Sequence, residues 1–273
     1  MRYKPSDHTF VICAYKSSPY LEDCIRSLKL QSVHSSIIIT TSTPNEYISD
    51  IADRNGIEVF INHASTGIAS DWNYSLKCVK TKLATIAHQD DLYEPDFLKY
   101  TLRELNKGGN SIMAFTSYYE IQNNKKITSK SFINLRIKEW MLKPLTFICM
   151  QKSRAVRRCI LSLADPICCP SVTYVKRNLP KNLFSSEYKA VLDWHAWEHL
   201  SRGEGRFAYI DRPLVGHRMY SDSTTMKMIE NHERSKEDLM IYRLFWPELI
   251  AQMIDRLYSL SQISRKKHKA DEK

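Results

Sequence analysis

A chain of 273 residues with 43% hydrophobic and 11% aromatic content can bury a sizeable core, and only 7 Gly and 10 Pro exclude a fibrous or low-complexity chain. Forty Lys and Arg against 30 Asp and Glu leave a net charge of +10, which favours anionic partners: phosphorylated substrates, membrane surfaces or nucleic acid. The longest early apolar run, residues 10–14, is too short for a secretory signal, and no run approaches the roughly 18 residues that span a bilayer.

Residues 9–14 (TFVICA) read as a buried strand, after which Leu21, Ile25 and Leu28 recur at helical spacing. The unit repeats: Ile37, Ile38 and Ile39 form a strand, a Thr-Pro-Asn turn opens a helix over 46–54, and 57–61 is the next strand. A helix carrying Trp72, Leu76 and Val79 precedes a fourth strand at 83–87; a helix over 96–105 and a strand at 112–117 follow. Regularity then fails from 123 to about 145. Beyond it the pattern predicts one helix over about 146–163, a strand at 172–175, a helix over 191–200 and a helical end. Strands alternating with helices imply an α/β fold with a mostly parallel sheet, and such sheets bind ligands at the carboxyl ends of their strands.

Seven cysteines, several in apolar segments, lack zinc-site spacing and imply a reducing cytoplasm. Cys168 and Cys169 are adjacent and read as structural. Between 125 and 158 ten basic residues face a single acid, Glu139, and 265–269 is a second basic cluster. These stripes fit either a solvated face or contact with an anionic acceptor or the inner leaflet of a membrane.

The peptide Ala87-His88-Gln89-Asp90-Asp91-Leu92-Tyr93-Glu94-Pro95 puts two adjacent carboxylates after an apolar strand. Hard cations such as Mg²⁺ bind carboxylate oxygens together with substrate phosphates, so Asp91 is a candidate metal ligand and Asp90 a candidate ribose or water contact. The alternative is an acidic turn before the helix that begins at Pro95. A loop position for Asp91, outside the core, is expected.

The order of motifs resembles the family 2 glycosyltransferases of GT-A fold across about 8–225. The opening strand with Tyr20, Leu21, Cys24, Ile25, Ser27, Leu28 and Gln31 is similar to that family's first unit, whose loop touches the nucleotide; Ala14, Tyr15 and Thr41 are the matching donor candidates. Gly67-Ile68-Ala69-Ser70-Asp71-Trp72-Asn73 resembles the segment ending in Arg-Asn or Trp-Asn, adding Asp71 and Asn73. Gln89-Asp90-Asp91 resembles the Asp-X-Asp metal motif, and Leu192-Asp193-Trp194-His195-Ala196-Trp197 the Glu-Asp-Trp-x-x-Trp motif with the catalytic base. Gly216-His217-Arg218-Met219-Tyr220 with Ser223 and Thr225 resembles the closing His-Arg-x-His motif.

The resemblance implies inverting transfer from a nucleotide-sugar donor to a glycan or lipid-linked acceptor in surface polysaccharide synthesis. Mn²⁺ or Mg²⁺ would be the cofactor, Asp193 the base, Asp91 and His217 the metal candidates and Arg218 a diphosphate contact. It implies a Rossmann-like domain over 1–225, with a donor half (1–105) and an acceptor half (106–225), then a helical extension and basic tail over 226–273. Nucleic acid is not an expected partner. Three departures stand out: Tyr220 replaces a His, Leu192 replaces a Glu, and Thr40-Thr41-Ser42 lacks the acid with which many relatives read uracil. His217 also fits a buried structural role, and Asp193 a helix N-terminal one. A nucleotidyltransferase is the nearest rival, but the loop after the first strand contains no Gly; a glycosidase using Asp90 and Asp193 and a basic nucleic-acid binder are the others.

Overall fold

A computed structural model describes residues 2–64, 67–220 and 233–257. In β1 (His8–Ala14) side chains alternate between two cores, Phe10, Ile12 and Ala14 to one and Val11 to the other, as a strand buried on both faces requires. Then come α1 (Leu21–Lys29), β2 (Ser36–Thr41), α2 (Glu46–Asn55), β3 (Glu58–Ile61), α3 (Ile68–Cys78) and β4 (Leu83–His88). The predicted turn before α2 is a cap: the Asn45 side chain accepts from Ile48 N–H, and Gly56 ends the helix at φ 64°.

The chain continues through β5 (Leu92–Tyr93), α4 (Phe97–Leu105), β6 (Ser111–Gln122), β7 (Lys125–Ile127), α5 (Ile133–Leu142), α6 (Ile148–Lys152) and α7 (Arg154–Leu161). It closes with β8 (Val172–Val175), α8 (Leu192–Arg202), β9 (Arg206–Met219), α9 (Glu233–Arg243) and helical backbone over 248–257. One nine-stranded sheet runs β3-β2-β1-β4-β8-β6-β9-β5, with β7 on β6. The long ladders β1–β2, β1–β4, β2–β3 and β6–β9 are parallel, and the antiparallel contacts of β8, β7 and β5 are short. The sheet is therefore mostly parallel and flanked by helices. One face carries Leu21, Ile25, Ile51, Phe97 and Leu98; the other carries Trp194, Trp197, Tyr174 and Phe207.

The segment expected to be irregular from 123 to 145 is ordered. Asn123 and Asn124, at φ 48° and 59°, make a turn of the kind that needs two left-handed residues, and it sends β7 back along β6. The helix expected over 146–163 is broken. Ser153 is extended (φ −76°, ψ 116°), ending α6, and its Oγ accepts from Val156 N–H to start α7. The basic run at 152–158 is likewise not a free surface. Arg157 is 1% exposed and donates to the carbonyls of Ser201, Gly203 and Gly205, tying α7 to the end of α8. Arg158 pairs with Glu198 at 2.6 Å and Arg154 with Glu204 at 2.9 Å. Ser223, Thr225 and the basic run at 265–269 lie outside the described residues.

All seven cysteines are free thiols. Among the described residues no helix is long and apolar enough to cross a membrane.

Candidate functional site

The carboxyl ends of β1, β2 and β4 form one edge. Ala14 ends β1 opposite Thr41, and Cys13 lies opposite His88. Just beyond, Gln89 exchanges two bonds with the backbone of Tyr15, accepting from its N–H and donating to its carbonyl, each at 3.0 Å. The loop turns sharply at Lys16 (φ 54°), whose N–H donates to Thr43 Oγ1 at 2.6 Å. The Tyr15 side chain is half exposed above this edge, while Thr41 is buried and its Oγ1 accepts from Thr43 N–H at 3.0 Å.

Asp71, in the first turn of α3, accepts from Ser42 Oγ at 2.8 Å and Asn62 Nδ2 at 2.9 Å. An acid from α3 therefore stands beside the loop that follows β2. Asn73, two residues further along α3, binds backbone. Its amide accepts from Leu183 N–H at 2.9 Å and Phe184 N–H at 3.1 Å and donates to Phe184 O at 2.8 Å, so it fastens the 183–184 backbone to α3.

Asp91 stands on the expected loop, between β4 and β5, but not outside the core: it is 0% exposed. It accepts from Arg218 N–H at 2.8 Å and faces His217 Nδ1 at 3.1 Å. Burial alone raises a carboxyl and depresses an imidazole, yet the pair reverses both: Asp91 is held below its ordinary value, and His217 is raised to about 9. Asp90 moves the other way, raised by burial and by the Asp91 charge while the Tyr220 hydroxyl donates to it. Arg218 Nε donates to Asp90 O at 3.0 Å, and its guanidinium lies over the Tyr20 ring, 4.1 Å from the centroid, against which Tyr220 also packs. β9 therefore delivers His217 and Arg218 to the β4 acids, through the β5–β9 pairing of Leu92 with Gly216. Gly216 is required there, because a Cβ would stand 2.6 Å from the Tyr119 ring.

Asp193 begins α8, half buried, accepting from Trp194 N–H at 2.9 Å. Asp165 is buried nearby; burial first, and then the Asp193 charge, push its carboxyl well above the usual range, and Lys138 of α5 opposes this. Cys168 connects the two regions: its thiol is pushed up by burial and then by Asp91, and it also feels Lys138 and Asp193.

Sequence reasoning missed His88, Asp165 and Lys138. His88 stacks on Trp72 (centroids 5.2 Å apart), turns Nδ1 toward Asp91 Oδ2 at 3.6 Å, and keeps a buried Nε2 without a protein partner. Its place next to Gln89 was the available signal. Asp165 and Lys138 carried none, since each reaches the site through the segment whose structure the pattern did not reveal. Among the described residues no cluster of three or more His, Cys, Asp or Glu side chains could hold a metal ion by itself. The donor set still suits a hard divalent cation that takes one or two carboxylates and completes its shell with phosphate oxygens and water.

A family model described as glycosyl transferase family 2 matches residues 9–163. No match was found among curated proteins by sequence. Among solved structures, residues 1–349 of Staphylococcus aureus TarS with UDP-GlcNAc align at TM-score 0.61 and 14% identity, covering 90% of this chain and 70% of that one. Mycobacterium tuberculosis glucosyl-3-phosphoglycerate synthase with Mn²⁺ and UDP-glucose aligns at TM-score 0.57 and 13% identity, covering 88% and 79%. Against a longer TarS structure the chain covers 42%.

Proposed function

The chain belongs to glycosyl transferase family 2, and from that premise we propose that it transfers a sugar, with inversion, from a uridine diphosphate sugar to a hydroxyl of a glycan or lipid-linked acceptor. That it is a nucleotide-sugar-dependent glycosyltransferase follows from the family; the donor base, the acceptor, the metal and the residue roles are the proposal. The observation that carries it is the buried Asp91 at the carboxyl end of β4, held by the His217 ring and the Arg218 N–H of β9, because transfer needs a charged site there for the diphosphate.

Asp71 takes the uracil N3–H from its position beside Ser42, the role an acid after the second strand plays in many relatives. UDP-sugars bound to two structural neighbours support this base. Ala14, Tyr15 and Thr41 line the nucleotide edge, and Asn73 acts through the 183–184 backbone that it holds. Asp193 accepts the proton of the acceptor hydroxyl as that oxygen attacks the anomeric carbon from the face opposite the diphosphate. The leaving oxygens develop negative charge at the end of β4, where Arg218 and His217 meet them. Asp91, with Asp90 beside it and His217 on its flank, would hold Mn²⁺ or Mg²⁺, which when bound supplies Lewis-acid stabilisation of the diphosphate. Crystals of one neighbour with Mn²⁺ support the cofactor.

A thermal-shift screen of UDP-, GDP-, dTDP- and CMP-sugars with and without Mn²⁺ tests the reading. A donor at 100 times its Kd stabilises by about 2.7 kcal/mol, a shift of roughly 2–4 °C per kcal/mol in a chain of this size. Shifts confined to UDP-sugars with metal are expected. A response to nucleoside triphosphate and sugar phosphate, with none to any nucleotide sugar, would move the assignment to a nucleotidyltransferase.

A further inference from the structure

Helix α5 has two apolar faces. Leu135 and Leu142, each 3% exposed, pack into the core, while Ile133, Ile137 and Trp140, at 58%, 49% and 75% exposed, stand on the opposite side. Spacings of four and three residues keep that outer row within an arc of roughly 60°. The 3-10 turn Lys143–Thr146 follows α5 and leads to the start of α6, where Phe147 is 66% and Met150 41% exposed. The exposed row on α5, with two more exposed apolar side chains a turn further on, marks a contact site on a protein with ample polar surface.

Its rim is cationic. Lys130 and Arg136 beside it are exposed and, among the described residues, form no ion pair. Arg136 donates to the carbonyls of Ser129 and Lys130, which gathers these positions at the flank of α5. We propose that this face of α5 and α6 is a docking surface for an anionic lipid bilayer, with Trp140 and Phe147 entering the headgroup boundary and the cations meeting lipid phosphates.

Charge decides among occupants. A second copy of a chain of net charge +10 would bury unpaired cations against cations. Trp140 and Phe147 offer rings on which a base stacks, but Ile133, Ile137 and Met150 have no partner in a nucleic-acid strand and do have one in acyl chains. A bilayer satisfies both features. Lys138 lies on the cleft side of the same helix, near the Tyr118 ring and within the field of Asp165, so a bilayer held on the outer face lies one helix away from the proposed base. The inference rests on the reading of the acceptor as lipid-linked and names the surface that would meet it.

The test is co-sedimentation of the full chain with vesicles of phosphatidylcholine, with and without 30% phosphatidylglycerol (about that fraction, enough for a strong surface potential). Binding only to the anionic vesicles, weakening steeply between low and high salt, is expected. Ile137→Ser with Trp140→Ser should reduce partition more than tenfold, and Lys130→Gln or Arg136→Gln about fivefold each. Leu249→Ser with Met253→Ser, on another exposed apolar row, should leave it unchanged. Thermal shift with a donor verifies that each variant is folded. No binding by the native chain, or binding that the Ile137/Trp140 variant retains, overturns the proposal. A native dimer that the same variant converts to monomer, with vesicle binding unaltered, also overturns it and assigns the face to self-association. Vesicle binding uses neither donor nor turnover, so its failure leaves the transfer reading standing.

Discussion

The fold treats two pairs of carboxylates, Asp90 with Asp91 and Asp165 with Asp193, in opposite ways. Asp91 is fully buried yet ionised, because β9 brings the His217 imidazole and the Arg218 N–H to it; Asp90 beside it is raised. Asp165 is also buried, but Lys138, the Ile167 N–H and Arg234 do not outweigh burial and the neighbouring Asp193 charge, so it is raised. The difference teaches how one fold keeps one buried carboxylate charged and lets another lose its charge. A strand delivers the counter-charge at one place; at the other a neighbour gives up its own charge.

The largest effect should come from Asp193→Asn. With the shape kept and the proton acceptor removed, turnover should fall by about two to four decades while donor affinity changes less than about threefold. Stopped-flow turnover and donor calorimetry measure the two separately. Near-native turnover would shift the base to Glu198 or His195, although Glu198 is already paired with Arg158 and Arg202.

Asp91→Asn should abolish metal-dependent donor binding and, because the residue is buried, also destabilise the fold by roughly 3 kcal/mol. The pH dependence has a defined sign. His217 is raised from 6.5 to about 9, so its contribution is full below pH 6.5 and is lost as pH rises through about 9. Asp91 is lowered, so its contribution is present above its ordinary 3.8 and is lost as pH falls through the folded value. The native chain should exceed Asp91→Asn most between pH 4 and 6.5, in denaturation with chelator present. A difference that is flat to pH 10 would break the pairing.

The parallel part of the sheet was legible because its strands are buried on both faces and its helices are amphipathic: Ile37, Ile38 and Ile39, and Leu21, Ile25 and Leu28, announce themselves. The Asp90–Asp91 pair was legible for the same reason, following an apolar strand directly. What holds Asp91 was not, because β9 lies more than a hundred residues away and its paired register with β6 is a tertiary fact. The 123–163 region hid behind its charge. Its helix α5 buries only Leu135 and Leu142 and leaves its other apolar side outward, so periodicity had two faces to read and returned neither.

Asn73 gives a smaller and purely structural contrast. It makes three bonds to the 183–184 backbone, so Asn73→Ala should cost about 1–3 kcal/mol in denaturant unfolding. Donor affinity should fall only severalfold. A loss as deep as that of Asp91→Asn would mean that Asn73 touches the nucleotide.

The smallest effect on chemistry should be that of Asp165→Asn, and its sign on stability should be the reverse of Asp91→Asn. A carboxyl raised on folding binds its proton more tightly in the native state, so it costs stability as pH rises above its ordinary 3.8 toward the folded value. Asparagine has no proton to lose and retains the oxygen that accepts from Ile167 N–H at 3.1 Å. The variant should therefore equal the native chain near pH 3 and be the more stable of the two at neutral pH. Its turnover should stay within about threefold of native, since a protonated neighbour and an amide present the same neutral face to Asp193. Denaturant titrations at several pH values, with a pH–rate profile for both proteins, measure this. A turnover loss comparable to that of Asp193→Asn would mean that the two acids share the acceptor's proton, and the cleft would then hold a dyad where the comparison places a single base.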